Sequence, residues 1–402
     1  MQSGTTRVNP ARLGAFTFGI QVVWGAILGV SLQARTIEFS GAQAVTIFSY
    51  VLATGAALAA ITQVVAGIAS DERSKRVGNR LAFYLWGVAL AIPALVWFYL
   101  TPNLVQFVIA FFALQIALNV ATGPYQAAIP DHIPIDRRGL ASSWMSGWQS
   151  FGNAVGLVIV AFINDLRVVA ALLAVALASA WTVTFTHVRN FSIAPAPAAR
   201  FRADGTFVAL LLSRGTINLG FFTLLGYLLF FVKFSLGVDA AKVQTATGLV
   251  FLTFTLCGIL GAALAARPSD RYDLRAVATI ANCGVIAALA LLASAHTLAV
   301  AFVAAAIAGA CWGAFFTSDW ALACALLPRG AMATAMGVWN VATAGPQVLA
   351  PLLALPVVTY FNGAATGAGY RAAILLAVVE FAIGTALLWR LPSTRALAAP
   401  SD

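Results

Sequence analysis

The sequence predicts an all-α membrane protein, with twelve transmembrane helices in two six-helix pseudo-symmetric halves, and three observations carry that reading. The first is composition: of 402 residues, 61% are hydrophobic and only 9% are charged, with a mean hydropathy of +0.92. A soluble domain carries charge on roughly a quarter of its residues. The second is length. Crossing ~30 Å of hydrocarbon takes ~20 apolar residues, and the chain holds about twelve such runs. The third is a repeat. Arg138-Gly139, five residues, Met145, two residues and Trp148 return 191 residues later as Arg329-Gly330, Met336 and Trp339. On a helix, Arg138, Met145 and Trp148 fall within an arc of about 80°, so a helix face is repeated along with a composition. A period near half the chain marks one membrane unit used twice.

The spans follow in order. Span 1 is expected at Leu13–Leu32, span 2 at Val45–Ala69, span 3 at Leu81–Leu100 and span 4 at Leu104–Ile129. Span 5 is expected at Gly139–Ile163 and span 6 at Val168–Val188. The polar stretch Arg189–Gly205, with Ala-Pro-Ala-Pro and three arginines, reads as a linker. It divides the chain into an N-terminal bundle, residues 1–188, a cytoplasmic linker, 189–205, and a C-terminal bundle, 206–402. Span 7 is expected at Thr206–Val232, span 8 at Val243–Ala266 and span 9 at Ala276–Ala295. Span 10 falls at Leu298–Leu327, span 11 at Ala331–Phe361 and span 12 at Arg371–Leu391.

The net charge of +10 invites a nucleic-acid reading, but the charges sit in short loops between spans. Seventeen Lys and Arg lie on the side holding both termini and five on the other, which predicts cytoplasmic termini in a multi-pass protein of the plasma membrane, a bacterial inner membrane in particular. Arg214 is the one basic residue left inside a span. The four cysteines, Cys257, Cys283, Cys311 and Cys324, all fall in spans without metal-ligand spacing, and read as small apolar filler.

Four stretches carry a family resemblance. The loop after span 2 reads Ser70-Asp71-Glu72-Arg73-Ser74-Lys75-Arg76-Val77-Gly78-Asn79-Arg80. Span 1 contains Gly19, Gln21 and Trp24 as Gly-x-Gln-x-x-Trp, and span 4 ends Gly123-Pro124-Tyr125-Gln126-Ala127 with Asp131 beyond. Asp319-Trp320 in span 10 and Pro346-Gln347 in span 11 complete the set. Together these resemble the major facilitator superfamily and, within it, the sucrose and glycoside–pentoside–hexuronide cation symporter branch. The resemblance implies that spans 1, 4, 7 and 10 line a central cavity. It also implies that the loop is a conformational latch of Asp71, Arg76, Gly78 and Arg80, and the internal repeat adds Arg138 and Arg329 beside it. A solvated loop obeying the charge rule is the plainer account of the same residues. The sequence departs from the branch at two points: Gln126 stands where sucrose-type symporters carry an arginine, and span 1 holds no acidic residue.

Gln115, Asn119, Thr122 and Gln126 share one face of span 4, and Ser142, Ser146, Gln149 and Asn153 share one of span 5. Amides facing lipid are costly, so such stripes face protein or a watery cavity. They either glue helices together or bind a solute. Amides that donate and accept, set beside flat aromatic faces, suit a neutral polyhydroxylated solute. Gln21, Trp24, Asn119, Gln126 and Trp312 are the candidate binding residues.

Three ionisable residues lie well inside spans: Arg214, Asp319 and Glu380. Each costs about 2.5–3.5 kcal/mol at a span centre and is a functional candidate for that reason. Arg214 lies ~12 Å into span 7 and Asp319 ~13 Å into span 10, counted from the same side. Equal depth pairs them as an ion-coupling candidate, or as a static pair that fixes packing. Nothing in the sequence forms a nucleophile elbow, phosphate loop, metal-ligand cluster or ATP-binding signature, so no enzyme and no cofactor is expected. The expected activity is secondary active transport of a small, sugar-like solute by alternating access with protons. The rival readings are a proton-driven exporter of amphipathic compounds, and a non-transporting membrane sensor or assembly factor.

Overall fold

The computed structural model describes residues 8–133, 138–191, 204–326 and 332–393, and every regular element among them is helical. Helix α1 (Pro10–Ala26) passes through a π-turn, Ile27–Ser31, into α2 (Leu32–Ser40), and α3 (Ala44–Val77) follows. Then come α4 (Leu81–Leu100), α5 (Leu104–Tyr125), the short α6 (Ala128–His132), α7 (Arg138–Phe162) and α8 (Leu166–Val188). After the linker come α9 (Gly205–Phe230), a second π-turn (Phe231–Ser235), α10 (Val243–Arg271) and α11 (Leu274–Ala293). The last three are α12 (Leu298–Leu326), α13 (Met332–Ala364) and α14 (Ala368–Leu388). A five-residue π-turn thus closes the first long helix before the linker and the first one after it.

Among the described residues, ten helical runs are long and apolar enough to cross a membrane. The first, Pro10–Ser74, is 65 residues long and takes in spans 1 and 2 together. It is continuous because the turn between those spans is itself helical, built from the π-turn, α2 and the 3-10 turn Gly41–Gln43. Gly147–Phe162, within span 5, is a shorter apolar helix.

Helix starts are made by side chains that satisfy the first free peptide N–H groups. The Asn9 side-chain Oδ1 accepts from Ala11 N at 2.9 Å and Arg12 N at 3.3 Å, with Pro10 as the first helical residue. Asp165, Asp204 and Asp273 do the same for α8, α9 and α11. Gly78 ends α3 at φ +73°, a left-handed position that any side chain would strain.

The chain forms two compact units, Met1–Ile27 with Thr54–Pro197, and Leu28–Ala53 with Ala198–Asp402. In the first, α1 packs on α7 and α8, and α4 on α5 and α8. A Cβ added at Gly156 would strike the Val22 carbonyl, so the α1–α7 backbones approach as only a glycine allows. Thr184 of α8 accepts from Phe16 N and donates to the Arg12 carbonyl, at 3.0 and 2.9 Å.

In the second unit α10 packs along α12, and α9 lies against α13 and α14. Segment Leu28–Ala53 belongs here by its bonds. Gln33, fully buried, donates from Nε2 to the Leu225 carbonyl at 2.9 Å and accepts from Leu229 N at 3.0 Å. Those two backbone groups are the ones an α-helix pairs with each other. Ser49 and the Tyr227 hydroxyl share a bond of 2.8 Å, and Tyr227 donates on to the Pro351 carbonyl at 3.1 Å.

Candidate functional site

Three polar clusters stand out from the apolar packing, two in the first unit and one in the second. The first forms where α3 turns into α4. The Arg80 guanidinium donates from Nε to Asp131 Oδ2 at 2.7 Å and from NH1 to Ser70 Oγ at 2.7 Å, and it pairs with Asp71. Burial opposes the charge on Arg80, yet the bonds and charges of Asp131 and Asp71 outweigh it and carry its pKa above the usual arginine value. Burial pushes the neighbouring His132 down, against the pull of Asp131 and aided by Arg80 and His187. Of the latch residues expected from the sequence, Asp71 and Arg80 meet at this corner, and Gly78 makes the turn between them. Arg76 is exposed and forms no ion pair among the described residues. Arg138 opens α7, but its side chain, like the whole of Arg329, lies outside the described residues.

The second cluster is a chain of carboxamides. Asn119 of α5 donates from Nδ2 to the Gln115 backbone carbonyl at 2.7 Å and to Gln115 Oε1 at 3.3 Å. Gln63 of α3 donates from Nε2 to Asn119 Oδ1 at 2.6 Å, and Gln126 donates from Nε2 to Gln63 Oε1 at 3.1 Å. Gly123 allows this, because a Cβ there would stand 2.6 Å from the Gln63 carbonyl oxygen. The chain runs from buried Gln115 and Asn119, through half-buried Gln63, to exposed Gln126. Gln63 carries no signal in the sequence, where it lies in the apolar run of span 2, 56 residues from Asn119. Gln21 and Trp24 lie half-buried on α1, and no hydrogen bond joins them to Asn119 or Gln126 among the described residues.

The third cluster lies inside the second unit. Arg214 of α9 pairs directly with Asp319 of α12, and the two side chains are 5% and 1% exposed. Arg214 also reaches Thr343 of α13 at 3.4 Å, and its carbonyl accepts from Asn218 Nδ2 at 2.9 Å. Two turns along α12, Trp312 stacks on Phe221 with centroids 4.6 Å apart and meets Phe381 edge-on at 5.9 Å. Glu380, next to Phe381, is buried with Thr223 as its polar neighbour. An apolar cavity opens between α9, α10, α11 and α12, walled by residues such as Phe221, Leu228, Phe251, Leu289 and Ala305.

Chemically, amide groups can exchange hydrogen bonds with a polar solute, and an aromatic face can stack against one. Among the described residues no group of three or more His, Cys, Asp or Glu is placed to hold a metal.

The family model described as Major Facilitator Superfamily matches residues 13–351. A curated relative, the general alpha-glucoside permease of Schizosaccharomyces pombe, is 24% identical over 262 residues. That match takes in 58% of this chain and 47% of the permease, about half of the relative's length. Among solved structures, the fold is similar to a D-xylose–proton symporter, with a TM-score of 0.72 and 14% identity over 96% of this chain and 97% of that one. It is also similar to a bacterial homologue of the human lysosomal transporter Spinster in an inward-facing, occupied conformation. There the TM-score is 0.71, with 15% identity over 95% of each chain.

Proposed function

The chain belongs to the major facilitator superfamily, and we propose that it is a secondary active transporter that moves a small, sugar-like polar solute by alternating access. It is a membrane transporter and not an enzyme. The observation that carries the choice of solute is the amide chain from Gln115 to Gln126, whose exposed end offers hydrogen-bonding groups. Gln21, Trp24 and Trp312 complete the proposed binding set as further amide and aromatic surfaces. An alpha-glucoside permease among the relatives supports a sugar, and a proton symporter among the structural neighbours supports proton coupling. In this reading Asp319 exchanges the proton and Arg214 tunes its affinity, while Asp71, Gly78 and Arg80 latch one conformer. The charge asymmetry of the loops supports cytoplasmic termini.

A thermal-stability screen of the purified protein tests the solute. A ligand at 100 times its Kd stabilises by about 2.7 kcal/mol. Alpha-glucosides and pentoses should raise the melting temperature, and silence across a broad sugar panel refutes the reading.

One observation favours a second reading. The cavity of the second unit has apolar walls throughout, which suits the hydrophobic part of an amphipathic compound better than a sugar. Stabilisation by lipophilic cations, with none by sugars, decides for an exporter.

A further inference from the structure

The polarity of the amide chain follows from its buried end. A backbone carbonyl only accepts, so the Asn119 group 2.7 Å from the Gln115 carbonyl must be its NH2. Asn119 therefore turns Oδ1 to its other neighbour, and whatever meets that oxygen at 2.6 Å must donate. The Gln63 group there is its NH2, which leaves Gln63 Oε1 facing Gln126. Gln126 must then present its NH2 to Gln63 at 3.1 Å and turn Oε1 away. Reversing any one amide brings two oxygens, or two NH2 groups, into contact. One backbone carbonyl thus sets the direction of three side chains, and each bond polarises the next in the same sense.

We propose that Gln63 is a positioning residue that fixes Gln126 with its carbonyl oxygen outward, so that this end of the site selects a solute donating a hydroxyl hydrogen. This rests on the sugar reading above. It adds a direction to it: the Gln126 carbonyl reads a donor on the solute, and an isosteric group that only accepts forfeits that hydrogen bond. Gln126 alone could rotate to suit either partner, and Gln63 removes that freedom.

Methyl α-D-glucoside and its monodeoxyfluoro analogues separate the two, because fluorine cannot donate. With the wild-type protein, one fluoro analogue should bind about tenfold more weakly than the parent, the size of one lost hydrogen bond. In Gln63→Leu that ratio should fall towards one. In Gln63→Glu it should persist at a pH where the carboxyl is protonated, because its O–H then donates to Asn119 Oδ1 while its C=O accepts from Gln126. A ratio unchanged in Gln63→Leu overturns the proposal. A second measurement needs no solute. Gln63→Leu leaves the buried Asn119 Oδ1 without a donor, so its loss of thermal stability should shrink when Asn119→Leu is added. Strictly additive losses would mean the chain is not made, and would also overturn the proposal. If the wild-type protein binds none of these sugars, the sugar reading falls, and the stability cycle still judges the chain.

Discussion

Arg80 donates from Nε to Asp131 Oδ2 at 2.7 Å, joining the end of the α3–α4 loop to the short helix α6. Asp71, the partner expected from the loop sequence, also touches Arg80, but its side chain is 60% exposed whereas that of Asp131 is 12% exposed. Exposed pairs contribute about 0–1 kcal/mol. Removing one partner of a buried pair costs about 3–5 kcal/mol. Asp131→Asn should therefore lower the melting temperature well beyond Asp71→Asn, in which folding is kept and transport slows. Equal melting temperatures for the two variants would show that Asp131 is not the anchor, and unaltered transport in Asp71→Asn would remove the latch.

His132 gives this corner a pH dependence of known sign. Burial, and then Arg80 and His187 against Asp131, hold it below its ordinary value of 6.5. A group whose folded pKa is depressed is favoured in its neutral form by the fold. Its contribution is complete above pH 6.5 and is lost as the pH falls below that value towards the folded pKa. Stability should decline on acidification from pH 7, and His132→Gln should flatten that decline. Melting curves of both proteins across pH 5 to 7.5 decide it, and a slope unchanged in the variant assigns the effect elsewhere.

The extent to which the sequence announced these sites follows from what periodicity encodes. A 3.6-residue repeat places Gln115, Asn119 and Gln126 on one face, and counting residues puts Arg214 and Asp319 at one depth. Long apolar runs delimit helices well, as at Leu81–Leu100, where the expected span and α4 coincide. Neither device reports how one helix is rotated against its neighbour. Gln63, Gln33 and Asp131 owe their roles to contacts 56, 192 and 51 residues away in sequence, which no local pattern reports. Gly123 was legible as part of a motif, but the approach of the Gln63 backbone that requires it was not.

Gln33 offers a test of how a buried amide can be lost at little cost. It bridges the Leu225 carbonyl and the Leu229 N–H of α9. When it is removed, those two groups can bond each other along the helix, so neither is left unsatisfied. Gln33→Leu should cost only about 1 kcal/mol, the net value of a hydrogen bond. Its signature lies in hydrogen exchange, where the amide of Leu229 should change protection while those of α5 do not. A large loss of stability instead would show that α9 cannot close its own ladder.

The pair of Arg214 and Asp319 invites the sharpest separation of packing from coupling. Both side chains are almost wholly buried, so neutralising one strands the other charge, at a cost of about 3–5 kcal/mol. Asp319→Asn should lower the melting temperature by that mechanism. If the proposed coupling holds, it should also abolish gradient-driven accumulation while keeping solute exchange across equilibrated membranes. Replacing both partners with apolar residues, Arg214→Met with Asp319→Leu, removes the stranded charge and should restore most of the lost stability. A static pair predicts that this double variant also recovers accumulation. A coupling pair predicts a stable protein that exchanges solute and does not accumulate it, because no carboxyl remains to carry the proton. Accumulation retained in Asp319→Asn would move the coupling site elsewhere, and Glu380, buried beside Thr223 on the same unit, is the residue to replace next.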